Sequence, residues 1–303
     1  MNNINLGVNI AGVDFKNPVM TASGTFGSGK EFEQFIDLNK LGAVVVKGVA
    51  RDAWFGNPSP RIAETYSGML NSVGLQNPGV DVFIKEDIPF LKKYDTKIIV
   101  NIAGRTVEDY CKVAEKLSQE QVDMIELNIS CPNVKEGGVA FGTDPKMAEY
   151  VTREVKKICK HPLVVKLSPN VTDITEIAKA AVAGGADALS MINTLLGMKI
   201  DANRQKIVLA NKVGGFSGPA IKPVALRMVY QVSKVVDVPI IGIGGITTGE
   251  DAIEFILAGA TAVGIGTANL INPTATMDIL GGIKEYMVKH NVKDINDLRG
   301  IVE

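Results

Sequence analysis

Short apolar runs alternate along this chain with longer segments of mixed character. The runs occupy residues 18–22, 43–46, 97–100, 124–127, 163–165, 188–192, 239–243 and 261–265. Several are β-branched and nearly continuous, the pattern of strands buried on both faces of a parallel sheet. Between them apolar residues recur three and four apart, as Ile174, Ile177, Ala178 and Ala181 do, and such positions share one face of a helix. This spacing predicts helices over residues 80–93, 107–118, 145–160, 174–183, 223–235, 250–258 and 275–289, with a shorter one over 30–37. Ahead of the first run, residues 6–10 and 13–15 flank Ala11-Gly12 and predict a small hairpin.

Eight strand-and-helix units with no break in composition predict an α/β fold. The expectation is a single parallel (β/α)8 TIM barrel spanning residues 1–303 as one domain, its bottom covered by the hairpin and its C-terminal face carrying loop insertions. An open doubly wound sheet is the rival, better suited to six or fewer strands. Hydrophobic residues make up 46% of the chain, enough for so large a core.

The residues at the end of each run are more informative. The first run leads to Ser23 and the second to Lys47; the third and fourth give Asn101 and Asn128; the fifth and sixth give Lys166 and Asn193; the last two open into Gly244-Gly245 and Gly266-Thr267. A buried strand does not normally finish in Lys or Asn without a partner for that group. In a (β/α)8 barrel all eight positions converge on one mouth, where active sites of this fold lie. Helix caps could account for any single Asn, but not for two lysines and three asparagines together.

The paired glycine loops let backbone amides approach an anion closely, and loops after strands seven and eight are the usual phosphate cradle of this fold. The pattern is neither G-x-G-x-x-G nor a Walker loop, so the anchor suits a sugar phosphate or a cofactor phosphate. Lys166 can set a cation against a ring carbonyl that becomes anionic on reduction, as the N1/O2 edge of a flavin does; a structural ion pair is the plain alternative. His161 and His290 stand away from the strand ends, so a Ser-His-Asp triad is out of reach. No Asp, Glu and His cluster suggests a metal. Of the three scattered cysteines only Cys131 follows a strand end; a thiol has a pKa of about 8.5, lowered by nearby cations, and can serve as a general base. Cys111 and Cys159 fall on helices and read as inert.

Other classes drop out. A net charge of -1 offers no field for nucleic acid. Without a C-x-x-C pair, neither a disulfide framework nor an iron–sulfur cluster belongs to this chain. No run approaches the roughly 18 apolar residues of a membrane span, and MNNINLGVNI lacks the features of a secretory signal. A soluble cytoplasmic protein is expected.

Taken in order, the segments resemble the class 1 dihydroorotate dehydrogenases over nearly the whole chain. The resemblance rests on Asn17-Pro-Val-Met-Thr-Ala-Ser-Gly24, Val46-Lys-Gly48, Gly56-Asn-Pro-Ser-Pro-Arg61 and Gly68-Met-Leu-Asn-Ser-Val-Gly-Leu-Gln-Asn-Pro-Gly79. It continues through Asn128-Ile-Ser-Cys-Pro-Asn133, Val165-Lys-Leu-Ser-Pro169, Ile192-Asn-Thr194, Gly214-Gly-Phe-Ser-Gly-Pro219 and the two glycine loops. Class 2 members carry serine as base and an N-terminal membrane-associating extension; Cys131 and the short N-terminus resemble class 1. Residues 68–79 look like type 1B, whose catalytic subunit associates with a subunit bearing FAD and a 2Fe-2S cluster and reduces NAD. Residues 50–55 depart from the Pro-Arg of the family.

The resemblance implies FMN-dependent oxidation of (S)-dihydroorotate to orotate in pyrimidine biosynthesis, with one FMN per chain. It implies that Ser23, Lys47, Gly48, Asn101, Asn128, Lys166, Ile192, Gly218, Gly244, Gly245, Gly266 and Thr267 surround FMN. Lys47, Asn71, Ser72, Val73, Gly74, Leu75, Asn128, Asn193 and Thr194 are implied to hold substrate, under a lid of residues 48–76 and 129–143. Cys131 is implied to take a proton from C5 while hydride leaves C6 for flavin N5. Implied partners are a second catalytic subunit and two electron-transfer subunits in a heterotetramer. The rivals are a fumarate-linked type 1A enzyme, a dihydropyrimidine dehydrogenase-like enzyme, and a non-catalytic barrel that binds a sugar phosphate.

Overall fold

The apolar runs become eight strands, namely Val19–Thr21 (β1), Ala43–Val45 (β2), Lys97–Ile102 (β3), Met124–Asn128 (β4), Leu163–Lys166 (β5), Ala188–Met191 (β6), Ile240–Ile243 (β7) and Ala262–Ile265 (β8). The structure is a computed structural model that describes residues 4–130 and 138–303, with only the backbone of residues 138–140. Each strand pairs in parallel with its neighbours in chain order, and β8 closes on β1 through Val263↔Val19, Gly264↔Met20 and Ile265↔Thr21. The expected closed barrel is therefore present and the open sheet is excluded. Apart from Lys97, every residue of these strands is buried, which is why the runs are continuous and do not alternate. The shortest ladder, β1 on β2, has one pair, Met20↔Ala43. There the Thr21 hydroxyl stands in for backbone, donating to the Val45 carbonyl at 3.2 Å and accepting from its N–H at 2.9 Å.

Helices cover the barrel at Val107–Leu117, Pro145–Ile158, Ile174–Ala183, Lys222–Ser233, Gly249–Leu257 and Ala275–Lys289. Their starts are set by capping side chains. Thr106 with Asp109, and Thr248 with Asp251, form reciprocal capping boxes that satisfy amide donors at the helix N-terminus. The helix expected at 80–93 runs from 80 to 91 with a wide turn at Phe83–Asp87. Pro89 explains it, because it lacks the N–H that would reach the carbonyl four residues back. The helix expected over 30–37 does not form; bonds from Phe32 and Glu33 to Gly29, and from Phe35 and Ile36 to Phe32, make successive turns that lead into a 3-10 turn at Leu38–Lys40. So short a segment, with no cap of its own, cannot offset the cost of helix nucleation. Phe32 instead stacks on Phe26, with ring centroids 4.1 Å apart.

The hairpin forms at Val8–Ile10 and Val13–Phe15, and buries Val8, Ile10 and Phe15 in the main core. The sequence pattern missed a second sheet. Ile62–Thr65, Gly68–Asn71, Val213–Ser217 and Leu195–Met198 form four antiparallel strands, the first two inserted after β2 and the last two after β6. With eight strands in order, β2 and β6 lie on opposite sides of the barrel, so the two insertions pair across its mouth. Ala63, Leu70 and Leu209 form a small separate core for this sheet. Among the described residues no helix is long and apolar enough to cross a membrane.

Candidate active site

A cleft of about 960 Å³, its open mouth included, lies at the C-terminal ends of the strands. Ser23, Gly24 and Thr25 follow β1; Lys47 and Gly48 follow β2; Asn128 and Lys166 end β4 and β5; Ile192, Asn193 and Thr194 follow β6; Gly244 to Thr247 follow β7, and Gly266 to Ala268 follow β8. The cross-mouth sheet contributes Asn71 and Ser217. Two lysines and no Asp or Glu line this cleft among the described residues, so its field favours an anionic guest.

The floor on the side of β3 to β6 is built from side chains. Register pairs Asn101 with Glu126, and Lys166 with both Asn128 and Ser190. Asn101 Nδ2 donates to Glu126 Oε1 at 2.5 Å, and Ser190 Oγ donates to Glu126 Oε2 at 2.7 Å. Lys166 Nζ stands 4.0 Å from Glu126 Oε1, both side chains almost fully buried. Asn128 Nδ2 donates to Asn101 Oδ1 at 3.4 Å, while Asn128 Oδ1 accepts from Ser130 Oγ at 3.0 Å. Asn193 Nδ2 donates to Ser130 Oγ at 2.8 Å. Tyr110 fixes the end of β4 by donating to the Asn128 carbonyl at 2.7 Å. Such a network positions its members firmly because each polar group is already satisfied.

The opposite rim, from β7 through β8 to β1, is built from backbone. Gly244 (φ 138°) and Gly245 (φ 74°) hold conformations that L side chains rarely adopt. A Cβ on Gly245 would stand 2.8 Å from the Lys222 backbone. Gly266 differs. A Cβ there would meet Ala22 at 3.5 Å and Thr25 at 3.9 Å, ordinary contact distances. Nothing among the described residues requires glycine at 266, and the space it leaves faces the cleft. Beneath the rim, Lys222 pairs with Asp251 at 2.6 Å and Glu254 at 2.9 Å. Burial would raise the Asp251 carboxyl, yet Lys222 and the Thr247 and Thr248 donors outweigh it and hold the pKa at about 2. Burial likewise works against the Lys222 ammonium, but its bonds to Asp251 and Glu254 raise it above the usual lysine value. This clamp fixes the loop after β7.

Of the expected cofactor residues, Ser23, Lys47, Gly48, Asn128, Lys166, Ile192, Gly218, Gly244, Gly245, Gly266 and Thr267 all line the cleft. Asn101 does not; it is fully buried one layer below, bonded to Glu126 and Asn128. Of the expected substrate residues, Asn71, Leu75, Asn193 and Thr194 line the cleft along with Lys47 and Asn128, while Ser72, Val73 and Gly74 do not. Gly74 packs on Asn57, whose N–H bonds the Val73 carbonyl at 3.0 Å. Cys131 lies outside the described residues, as does much of the 129–143 segment. Burial pushes both described thiols up and so favours their neutral form. His161 contacts the Leu117 carbonyl and His290 stacks on Tyr286, both away from the cleft.

Two residues escaped sequence reasoning. Glu126 is the acid of the buried floor, and the signal was a lone carboxylate inside Met-Ile-Glu-Leu-Asn, two positions before Asn128 and so on the same face of β4. Asn77 is the hub of the cross-mouth loops: its Oδ1 accepts from Ala50 and Gly79, its Nδ2 donates to the Leu75 carbonyl, and its backbone pairs with Trp54. It thereby holds residues 50–55, whose Trp54 lies under the Arg105 guanidinium at 5.0 Å, and Leu75, which keeps φ at 55°.

The rim and floor together fit a flat cofactor with a phosphate tail: open glycine loops for the anion, lysine and asparagine for a polar ring. A family model described as dihydroorotate dehydrogenase matches residues 5–287. The catalytic subunit of dihydroorotate dehydrogenase B (NAD(+)) of Alkaliphilus metalliredigens is 71% identical over 300 residues, 99% of each chain. That of Lachnoclostridium phytofermentans is 63% identical, over 99% of this chain and 100% of its own. In fold the chain resembles a crystal structure of DHODH in complex with ferulenol from Eimeria tenella, with a TM-score of 0.82 and 23% identity over 99% of this chain and 89% of that one. By the family match and by these identities, the chain belongs to the dihydroorotate dehydrogenase family and is similar over its length to catalytic subunits of the NAD-linked B type.

Proposed function

We propose that this chain, as one domain spanning residues 1–303 with one FMN, oxidises (S)-dihydroorotate to orotate and passes the electrons to NAD through a partner subunit bearing FAD and a 2Fe-2S cluster. The observation that carries the reading is the cleft at the strand ends, with a glycine rim open at Gly266 and a lining that includes Lys47, Asn128, Lys166 and Asn193 and, among the described residues, no acid. In this reading the amides of the β7 and β8 loops hold the FMN phosphate, and Lys166 and Asn128 meet the polar edge of its ring. When bound, FMN supplies the acceptor for the hydride that leaves C6 of the substrate. Lys47 counters the substrate carboxylate, and Asn71, Asn128, Asn193 and Thr194 match the ring amides. Cys131 takes the C5 proton as general base. The cross-mouth sheet excludes water from the reacting carbons.

The purified chain is expected to release FMN on denaturation, near one per chain. Orotate formation is expected to couple to NAD only when the partner subunit is added. Activity with fumarate and no partner would assign the chain to the fumarate-linked type instead, and turnover of dihydrouracil to the dihydropyrimidine dehydrogenase-like reading.

A further inference from the structure

Glu126 and Lys166 form a buried charge pair beneath the cleft, and only the lysine reaches it. The acid is 1% exposed. Both of its oxygens are engaged, by Asn101 from β3 and Ser190 from β6, so four consecutive strands, β3 to β6, converge on one carboxylate. Stability does not explain this choice. Two charges removed from water cost about as much as their attraction returns, and apolar residues of similar volume commonly serve as well. Elsewhere these strands are filled by Val, Ile, Leu and Ala, so an apolar floor was available. Among the described residues no acid lines the cleft itself, and the Glu126 carboxylate is the negative charge that the described ion pairs set against Lys166.

We infer that Glu126 is a positioning residue that sets the electrostatic field of Lys166 at the bound ring, and so tunes the two-electron potential of the flavin. The inference rests on the FMN reading above. A lone lysine would present a full positive charge to a ring that gains negative charge on reduction; paired with Glu126, it presents a dipole. Asn101 and Ser190 hold the carboxylate so that the Lys166 ammonium points from the floor into the cleft.

The test is a reductive titration of the flavin-loaded protein against a reference dye, comparing wild type with Glu126→Gln. The amide keeps partners for Asn101 and Ser190 but removes the negative charge, so the reduced flavin is expected to gain about tenfold or more over the oxidised form. That corresponds to a potential raised by about 30 mV for a two-electron couple. Glu126→Asp, which restores the charge, is expected to return at least half of the shift, which a packing role alone would not do. If Glu126→Gln does not fold, Ser190→Ala carries the test: losing a donor concentrates charge on the carboxylate and is expected to lower the potential. An unchanged potential in the flavin-loaded variant would overturn the inference. Wild-type protein that binds no flavin would instead overturn the FMN reading.

Discussion

The two sides of the cleft solve the same problem by opposite means. On the β3–β6 side the surface is made of side chains whose polar atoms satisfy one another, from Glu126 through Asn101, Asn128 and Ser130 to Asn193. On the β7–β8–β1 side it is made by leaving side chains out, with Gly244, Gly245 and Gly266 exposing backbone and Lys222 clamping the loop from below. A side-chain floor can choose a polar ring and place a counter-charge under it. A backbone rim can grip an anion but reads nothing else about it. The first side should therefore govern chemistry, and the second retention of the cofactor.

The largest expected effect is on chemistry alone. Cys131→Ala should lower turnover by about 10²–10⁴, the usual contribution of a general base, while the protein keeps its flavin; unchanged kcat would remove the thiol from the mechanism. Next is the floor's charge balance. Lys166→Met leaves Glu126 buried without its counter-charge, a loss of about 3 kcal/mol or more, to be read from denaturant unfolding. Adding Glu126→Gln to that variant should recover much of it, and no recovery would mean that the 4.0 Å pair does not couple energetically.

The rim supplies a sharper contrast. Gly245→Ala forces a Cβ to 2.8 Å from the Lys222 backbone at φ 74° and should cost about 1–3 kcal/mol. Gly266→Ala meets only ordinary contacts, so stability should change by less than about 0.5 kcal/mol while flavin affinity falls about tenfold. Equal destabilisation by both would erase the distinction between a structural and a ligand-facing glycine. The smallest effect concerns the clamp. Asp251 titrates near 3.8 when unfolded and about 2 when folded, so its contribution is complete above about pH 4 and lost as the pH falls toward 2. Asp251→Asn should flatten stability across that acid window, measured by thermal melts; an unchanged slope would show that the clamp does not hold.

Much of this contrast was legible in the chain. The strands were visible because burial on both faces makes them continuous and β-branched, and their polar ends stood out against that background. The cross-mouth sheet was hidden, because Gly214 and Gly215 break any alternation and one of the two strands that their strand joins lies more than 140 residues earlier, at Gly68–Asn71. At Gly215 a Cβ would fall 2.0 Å from Thr194 Oγ1, a packing reason that no local pattern announces. The partnership of Asn101 with Glu126 was hidden as well. Both sit on the inward face of their strands, and only the register, Asn101↔Glu126, shows that they meet each other below the cleft.

The central claim, a flavin seated between rim and floor and reduced by substrate, is tested most directly by an anaerobic titration. The purified yellow protein is mixed with dihydroorotate and its visible absorption followed. Bleaching of the flavin band, complete near one equivalent of substrate per chain, is the predicted result. A folded protein that is colourless, or whose flavin band is untouched by saturating dihydroorotate, would contradict it.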